Sequence, residues 1–308
     1  MRPMKTIEIK NTDMTVSQIA LGCMRISDLG KKEIRKLVET ALEEGINFFD
    51  HADIYGGGNS ESLFADAMEM NPSFREKIFL QSKCGIRTGR YDFSKEYILS
   101  SVEGSLKRLK TDYLDLLLLH RPDTLMEPEE VAEAFEILHE SGKVRYFGVS
   151  NHNPMQIELL QKYLSQKLVV NQLQFSITNT TMIDCSINVN MENEGAVNRD
   201  GSVLEYCRLK DITIQPWSPF QYGFFEGVFL GNPKFPELNQ TLDTLSAQKG
   251  ITSTGMAIAW ILRHPAKMQP IVGTTNPSRL REICRGGEIS LSREEWYEIY
   301  RAAGNRLP

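Results

Sequence analysis

Residues 31–51 read KKEIRKLVETALEEGINFFDH, and two periodicities follow one another within them. Ile34, Leu37, Val38, Ala41 and Leu42 fall at i, i+3, i+4, i+7 and i+8, the apolar stripe of a helix, and Gly45 stands where a left-handed residue would end it. The next segment, Ile46-Asn47-Phe48-Phe49, is too short for a helix and is bounded by Gly45 and the polar pair Asp50-His51, so it reads as a strand whose carboxyl end carries an acid. The helix stripe has to be buried against something, and a sheet of such strands is what the neighbouring sequence offers.

Working outward, the pattern recurs. KIFLQSK at 77–83 precedes a helix over 94–109 marked by Ile98, Val102, Leu106 and Leu109. YLDLLLL at 113–119 follows; leucine runs also suit helices, but its length and the His120-Arg121-Pro122 stop favour a strand covered on both faces. Pro128 opens the next helix in the first turn, where its missing N–H is no loss, and Val131, Ala134, Phe135 and Leu138 form the buried stripe that Ser141-Gly142 ends. With QIALGC at 18–23 as the first, and VRYFGVS at 144–150, LVVNQLQ at 168–174, ITIQPWS at 212–218 and MQPIVGT at 268–274 as the rest, eight strand-like segments alternate with helical or loop sequence. That count predicts an α/β chain folded as a (β/α)8 TIM barrel, with residues 1–308 as one domain. The competing open sheet would carry GxGxxG directly after a strand, and the chain has none. Gly56-Gly57-Gly58 has the wrong spacing and reads as a flexible strand-to-helix turn.

Alternation over residues 4–17, on both sides of Asn11-Thr12-Asp13, predicts an N-terminal β-hairpin. Residues 178–202, rich in Asn, Asp, Ser and Gly, and residues 219–236, which mix aromatics with Gly and Pro, predict long loops after strands 6 and 7. The aromatics of the second hint at a substrate wall.

Composition excludes several classes of partner. Hydrophobic residues are 41% and charged residues 24%, ordinary globular usage. The net charge of -5 gives no basic footprint for nucleic acid. The five cysteines, at 23, 84, 185, 207 and 284, are odd in number and lack CxxC spacing, which argues against a disulfide framework or a thiolate zinc site and for a reducing compartment. The first residues lack the apolar core of a signal peptide and no 18 apolar residues run uninterrupted, so the expectation is a cytoplasmic chain without membrane spans. No feature marks an obligate oligomer interface.

In barrels of this kind catalytic groups sit at the carboxyl ends of strands. Asp50 ends INFF with Tyr55 five residues on, Lys83 ends KIFLQS, and His120 ends YLDLLLL. Singly, each has a plain structural explanation: an Asp there commonly caps a helix. Together they are harder to dismiss. The successive stretches FFDHADIYGGGNSE, LQSKCG, LLLLHRPD, GKVRYFGVSN, NQLQFS, QPWSPF and IVGTTNPSRLREI resemble, in order and across essentially the whole chain, the signatures of the aldo-keto reductases, and among these the bacterial oxidoreductases with QPWSPF after a long sixth-strand loop.

That resemblance implies an NADP-dependent oxidoreductase that reduces a small-molecule carbonyl substrate, an aldehyde or ketone, to an alcohol. It implies Tyr55 as proton donor, Asp50 and Lys83 as the groups that adjust it, and His120 as the group that orients the carbonyl. A tyrosine titrates near 10, so it needs a cation such as Lys83 beside it to stabilise a developing phenolate. Hydride must come from a cofactor, NADPH, because no side chain donates one. By the same resemblance Ser150, Asn151 and Gln172 hold the nicotinamide carboxamide and Trp217, in place of the more usual Tyr, stacks on the ring. Ser218 and Phe220 lie along phosphates and ribose, Gly273, Thr274, Thr275 and Ser278 form a phosphate-binding turn, and Arg279 reads the 2′-phosphate. Glu282 matches an adenine-side residue, although Ile283 replaces the asparagine often beside it. Met24, Ile54, Trp217, Phe220, Tyr222 and Phe224 are candidate substrate walls.

Two rival readings stand beside this one. A metal-dependent barrel would use His51, Asp53 and His120 as ligands, whereas the resemblance implies no metal. A non-catalytic NADPH-binding barrel would serve as a sensor or subunit, against which the intact set Asp50, Tyr55, Lys83 and His120 argues.

Overall fold

In the computed structural model, which describes residues 4–199 and 201–305, eight strands lie side by side in one parallel sheet. They are β1 (Ala20–Gly22), β2 (Phe48–Asp50), β3 (Phe79–Cys84), β4 (Leu114–Leu119), β5 (Val144–Ser150), β6 (Leu168–Gln174), β7 (Thr213–Trp217) and β8 (Ile271–Val272). Neighbours follow chain order from β1 to β7, and β8 returns to pair with β1 through Ile271 and Ala20. The seam between β8 and β7 is narrowed by the Gln269 N–H, which donates to Ile214 O at 3.0 Å. The result is a nearly closed (β/α)8 barrel. Of the expected single domain, residues 1–3, 200 and 306–308 lie outside the described residues.

The leucine run shows why the strands read as unbroken apolar stretches. Leu116 and Leu118 pack inside the barrel with Phe48, Val170 and Ile271, while Leu117 and Leu119 join the layer under the helices. Each face of the strand is therefore apolar, as a covered parallel sheet requires. The N-terminal hairpin, Thr6–Glu8 against Thr15–Ser17, adds Ile9, Met14 and Val16 to the inner cluster and so plugs one end of the barrel. The opposite end, where the strands finish, is left for side chains that do chemistry. The helix Lys31–Glu43 buries Ile34, Leu37, Val38 and Ala41 against the sheet, as its periodicity predicts.

Two segments differ from the sequence expectation. Residues 178–202 are not loop throughout: Thr181–Ile187 is helical and Glu194–Ala196 forms a 3-10 turn. Met182, Ile183 and Cys185 are buried there, and the Tyr300 hydroxyl donates to Asp184 Oδ1 at 2.5 Å, which ties the segment to the C-terminal helix Arg293–Ala302. Residues 219–236 hold a small hairpin, Gln221–Tyr222 against Gly227–Val228, with Phe224 and Phe225 at its tip. Gly56, Gly57 and Gly58 make the strand-to-helix turn as part of a 3-10 element, Tyr55–Gly58, with left-handed φ of 59°, 65° and 91°. Side chains rarely adopt such angles, and the three glycines carry the chain from Tyr55 into the helix Asn59–Met68.

Candidate active site

The site begins with register. Asp50 on β2 is paired with Gln81 on β3, and Lys83 lies two residues further along β3, so alternation points Gln81 and Lys83 to the same inner face. Lys83 is fully buried and its ammonium spends its three donors locally. Nζ donates to Asp50 Oδ2 at 2.8 Å, to the His51 carbonyl at 2.8 Å and to the Tyr55 hydroxyl at 2.9 Å. Tyr55 is placed by the short turn Tyr55–Gly58, and its ring meets the His120 ring edge-on with centroids 5.9 Å apart. The four strand-end residues Asp50, Tyr55, Lys83 and His120 thus form one cluster.

Electrostatics sort the cluster into charged and neutral members. Burial disfavours the Lys83 cation, but Asp50 and Tyr55 outweigh it and the ammonium titrates above its ordinary value. Burial raises the Tyr55 phenol above its usual range; Lys83 pulls the other way without reversing the direction. The Lys83 charge favours ionisation of Tyr55, while burial outweighs it and keeps the proton on the phenol. His120 is held well below the ordinary imidazole value by burial, with Lys83 and Arg121 adding to it, so the ring is neutral at pH 7.

A polar layer, of whose residues the sequence points only to Gln172, supports Asp50. Gln81 Nε2 donates to Asp50 Oδ1 at 2.5 Å and to Gln215 Oε1 at 2.9 Å; Gln172 Nε2 donates to the same two atoms, each at 3.1 Å. Gln215 Nε2 donates to Gln269 Oε1 at 2.9 Å, and Gln269 Nε2 to the Ser17 carbonyl at 2.7 Å. All four glutamines are buried. The amides form a directed ladder through the barrel interior, with the positive ends of two of them aimed at the carboxylate. The equal parity of Gln81 and Lys83 within KIFLQSK is the signal that would have found its first rung.

Above the cluster opens a cavity of about 1020 Å³. Asp50, Tyr55 and His120 line it at one part, Ser150, Asn151, Gln172, Trp217, Ser218 and Phe220 along its length, and Gly273, Thr274 and Arg279 at another. Thr275, Ser278 and Glu282 stand beyond the lining, the last two on the helix Pro277–Arg285. Lys83 sits behind Asp50 and Tyr55. Of the expected walls, Met24, Ile54, Trp217, Phe220 and Phe224 line the cavity and Tyr222 does not; its ring packs on Phe235 with centroids 5.1 Å apart. No described residue of 178–202 reaches the lining. Lining residues not foreseen include Arg25 and Arg121, Phe225 of the β7 hairpin, and Ile86 and Tyr91 of a second hairpin, Ile86–Arg87 against Arg90–Tyr91.

Several lining groups are already mutually oriented. Ser150 Oγ donates to the Gln172 carbonyl at 2.9 Å, Asn151 Nδ2 to Ser150 Oγ at 2.8 Å, and Trp217 Nε1 to Asn151 Oδ1 at 3.2 Å. Asn151 and Ser218, each just past a strand, have φ of 58° and 51°, left-handed values that asparagine tolerates better than serine. The Trp217 ring stacks on Phe225 with centroids 5.8 Å apart. The Arg279 guanidinium has neither an ion-pair nor a hydrogen-bond partner among the described residues, which leaves it free for an anion.

The metal-site residues are not brought together. His51 lies edge-on to Phe64, with centroids 4.8 Å apart, and Asp53 Oδ2 accepts from Tyr97 and Ser101 at 2.9 and 2.8 Å. Among the described residues no three His, Cys, Asp or Glu side chains are grouped as metal ligands.

The chain is similar to known proteins over nearly its whole length. The profile of the Aldo/keto reductase family matches residues 18–303. An uncharacterized oxidoreductase, YcsN, of Bacillus subtilis (strain 168) is 38% identical over 305 residues, covering 94% of this chain and 95% of its own. A 6-dehydroglucose reductase of Agrobacterium fabrum is 34% identical over 304 residues, with 94% and 95% covered. Among solved structures, a thermostable aldo-keto reductase crystallised with the inhibitor epalrestat superposes with a TM-score of 0.77 at 27% identity, covering 97% of this chain and 100% of that one. The parallel barrel, the strand-end cluster and these matches lead to one statement: the chain belongs to the aldo/keto reductase family.

Proposed function

We propose that the chain reduces an aldehyde or ketone to an alcohol with NADPH, with Tyr55 as the proton donor and residues 1–308 working as one domain. The observation that carries this reading is the position of Lys83, whose ammonium bridges the Asp50 carboxylate and the Tyr55 hydroxyl. Because the Tyr55 oxygen accepts from Lys83, its own O–H is free to aim elsewhere, and the cavity is the open side. Among the described residues the buried His120 Nδ1 has no partner, so the neutral ring is best served by carrying its proton on Nε2, where it donates. Two donors then meet where negative charge grows on a carbonyl oxygen. Tyr55 gives up its proton to that oxygen, and the phenolate left behind stands 2.9 Å from the Lys83 cation, which Asp50 and the glutamine ladder hold in place. Positioned proton transfer of this kind contributes about 10² to 10⁴-fold.

A bound nicotinamide would supply the hydride. The residues present fit such a cofactor. Gln172 spends its Nε2 on Asp50 and Gln215 and keeps its carbonyl oxygen for a carboxamide, next to Ser150 and Asn151. Trp217 offers a flat face, Ser218 and Phe220 follow it along the cavity, and Gly273 and Thr274 with Thr275 and Ser278 sit at a strand-to-helix turn suited to phosphate. Arg279, without a carboxylate partner, would read the 2′-phosphate, and Glu282 would face the adenine side. The odd number of cysteines without CxxC spacing supports a reducing, cytoplasmic compartment, and among the described residues no helix is long and apolar enough to cross a membrane.

The test is a steady-state panel of aldehydes, ketones, quinones and sugar aldehydes, including the 6-dehydroglucose named for the Agrobacterium fabrum relative, with NADPH and with NADH. Turnover with NADPH preferred is expected. Tight NADPH binding with no turnover of any carbonyl would instead mark a sensor or subunit.

A further inference from the structure

The cavity is more cationic than the chain around it. The chain carries a net charge of -5, yet Arg25, Arg121 and Arg279 line the cavity against one carboxylate, Asp50, whose Oδ1 lies 2.7 Å from Lys83 Nζ. Arg279 stands at the part assigned to the cofactor. Arg25 and Arg121 flank the carbonyl-binding part instead: Arg25 leads into the one-turn helix Ile26–Asp28, which packs against Tyr55–Gly58, and Arg121 follows His120 directly.

Neither guanidinium has an ion pair or a hydrogen-bonded acceptor among the described residues. The nearby carboxylate of Asp123 is occupied by the backbone N–H groups of Phe93 and Leu125, at 3.1 and 2.9 Å. What Arg121 does meet is aromatic: its guanidinium carbon lies 5.8 Å from the ring centroids of both Trp217 and Phe224. Such contacts leave the in-plane N–H fork available. Elsewhere Arg35, Arg75, Arg108 and Arg281 each reach a carboxylate within 2.7 Å, so the chain has the means to neutralise arginines where it needs to. A guanidinium stays charged at any working pH, and two of them lining one cavity without counter-ions attract an oxyanion from the ligand.

We propose that Arg25 and Arg121 form a subsite for an anionic group on the substrate, so that preferred substrates are carbonyl compounds bearing a carboxylate or similar oxyanion remote from the carbonyl carbon. The aromatic wall of Trp217, Phe220 and Phe224 fits a flat or apolar spacer between the two groups. This rests on the carbonyl-reduction reading, since the subsite orients the group that Tyr55 and His120 meet.

The test compares para-carboxybenzaldehyde with para-carbamoylbenzaldehyde, which share shape and differ in charge. Wild-type protein with NADPH should favour the carboxylate by about tenfold or more in kcat/KM, mainly through KM, as expected for a charge-assisted hydrogen bond. The preference should shrink as salt rises. In the double variant Arg25→Ala/Arg121→Ala the ratio should collapse toward one. Equal kcat/KM in the wild type, or a ratio that survives in the double variant, overturns the subsite, as does a variant effect confined to the KM for NADPH. If neither aldehyde were reduced, the reduction reading would fail separately, and calorimetry with the corresponding alcohols decides the subsite. Binding of para-(hydroxymethyl)benzoate that the double variant loses supports it, and equal binding of the benzoate and its amide by wild type overturns it.

Discussion

Replacing Gln81 with glutamate changes an amide into a carboxylate and leaves shape almost untouched. In the wild type Gln81 Nε2 donates to Asp50 Oδ1 at 2.5 Å and to Gln215 Oε1 at 2.9 Å. Glutamate would set acceptors against both acceptors and add a second negative charge where, among the described residues, Lys83 is the one cation in contact with Asp50. The escape is to protonate the new side chain. From an ordinary value near 4.3, holding it protonated costs about 2 kcal/mol at pH 6 and about 5 kcal/mol at pH 8, at about 1.4 kcal/mol per unit. The sign follows: the folded-state value would lie above the unfolded one, so stability relative to wild type is lost as pH rises. Gln81→Leu removes the hydrogen bond to the charged Asp50, about 1.5 to 3 kcal/mol, and the neutral one to Gln215, about 1 kcal/mol, with no pH dependence from that side chain. Urea unfolding of the three proteins at pH 6 and pH 8 measures both effects. A Gln81→Glu penalty below about 1 kcal/mol at pH 8, or one that does not change with pH, would refute the directed ladder.

Lys83→Met leaves the Asp50 carboxylate buried without its cation, so a stability loss of about 3 to 5 kcal/mol in urea unfolding is expected, with aldehyde reduction down by about 10²-fold or more. His51 and His152 are buried and lowered, mainly by burial, to about 3 and about 4, so protonation of the unfolded chain destabilises the fold as pH drops below 6.5. Each should contribute about 2 kcal/mol of loss between pH 6.5 and pH 5, and His51→Leu should remove its share of the slope in denaturation curves. Arg279→Ala should weaken NADPH by roughly tenfold or more while barely changing NADH in fluorescence titration; equal losses for both would remove the 2′-phosphate role.

The barrel was legible because covered parallel strands are apolar on both faces: Leu116 and Leu118 inside, Leu117 and Leu119 outside, leave no polar alternation to confuse the reading. Asp50, Lys83 and His120 were legible for the complementary reason, since each is the first ionisable group after such a run. Gln81, Gln215 and Gln269 were not, because a glutamine in a strand looks like any solvated residue until the barrel closes and brings four of them into contact. The helix Thr181–Ile187 escaped notice because its few apolar residues are organised by distant partners, with Tyr300 bonding Asp184 across the fold. The hairpin Ile86–Arg87 with Arg90–Tyr91 shows no apolar alternation and leans on the Arg87–Asp92 ion pair, a contact that spacing alone does not announce.

The most direct test of carbonyl reduction follows label from NADPH carrying deuterium at both positions of the nicotinamide C4 into the alcohol product, in wild-type protein and in Tyr55→Phe matched for NADPH binding. Deuterium is expected in the wild-type alcohol, with a rate lower by about 10²-fold or more in the variant, because the charge developing on the carbonyl oxygen has lost its proton donor. Unlabelled alcohol, or a Tyr55→Phe rate equal to wild type, would contradict this expectation.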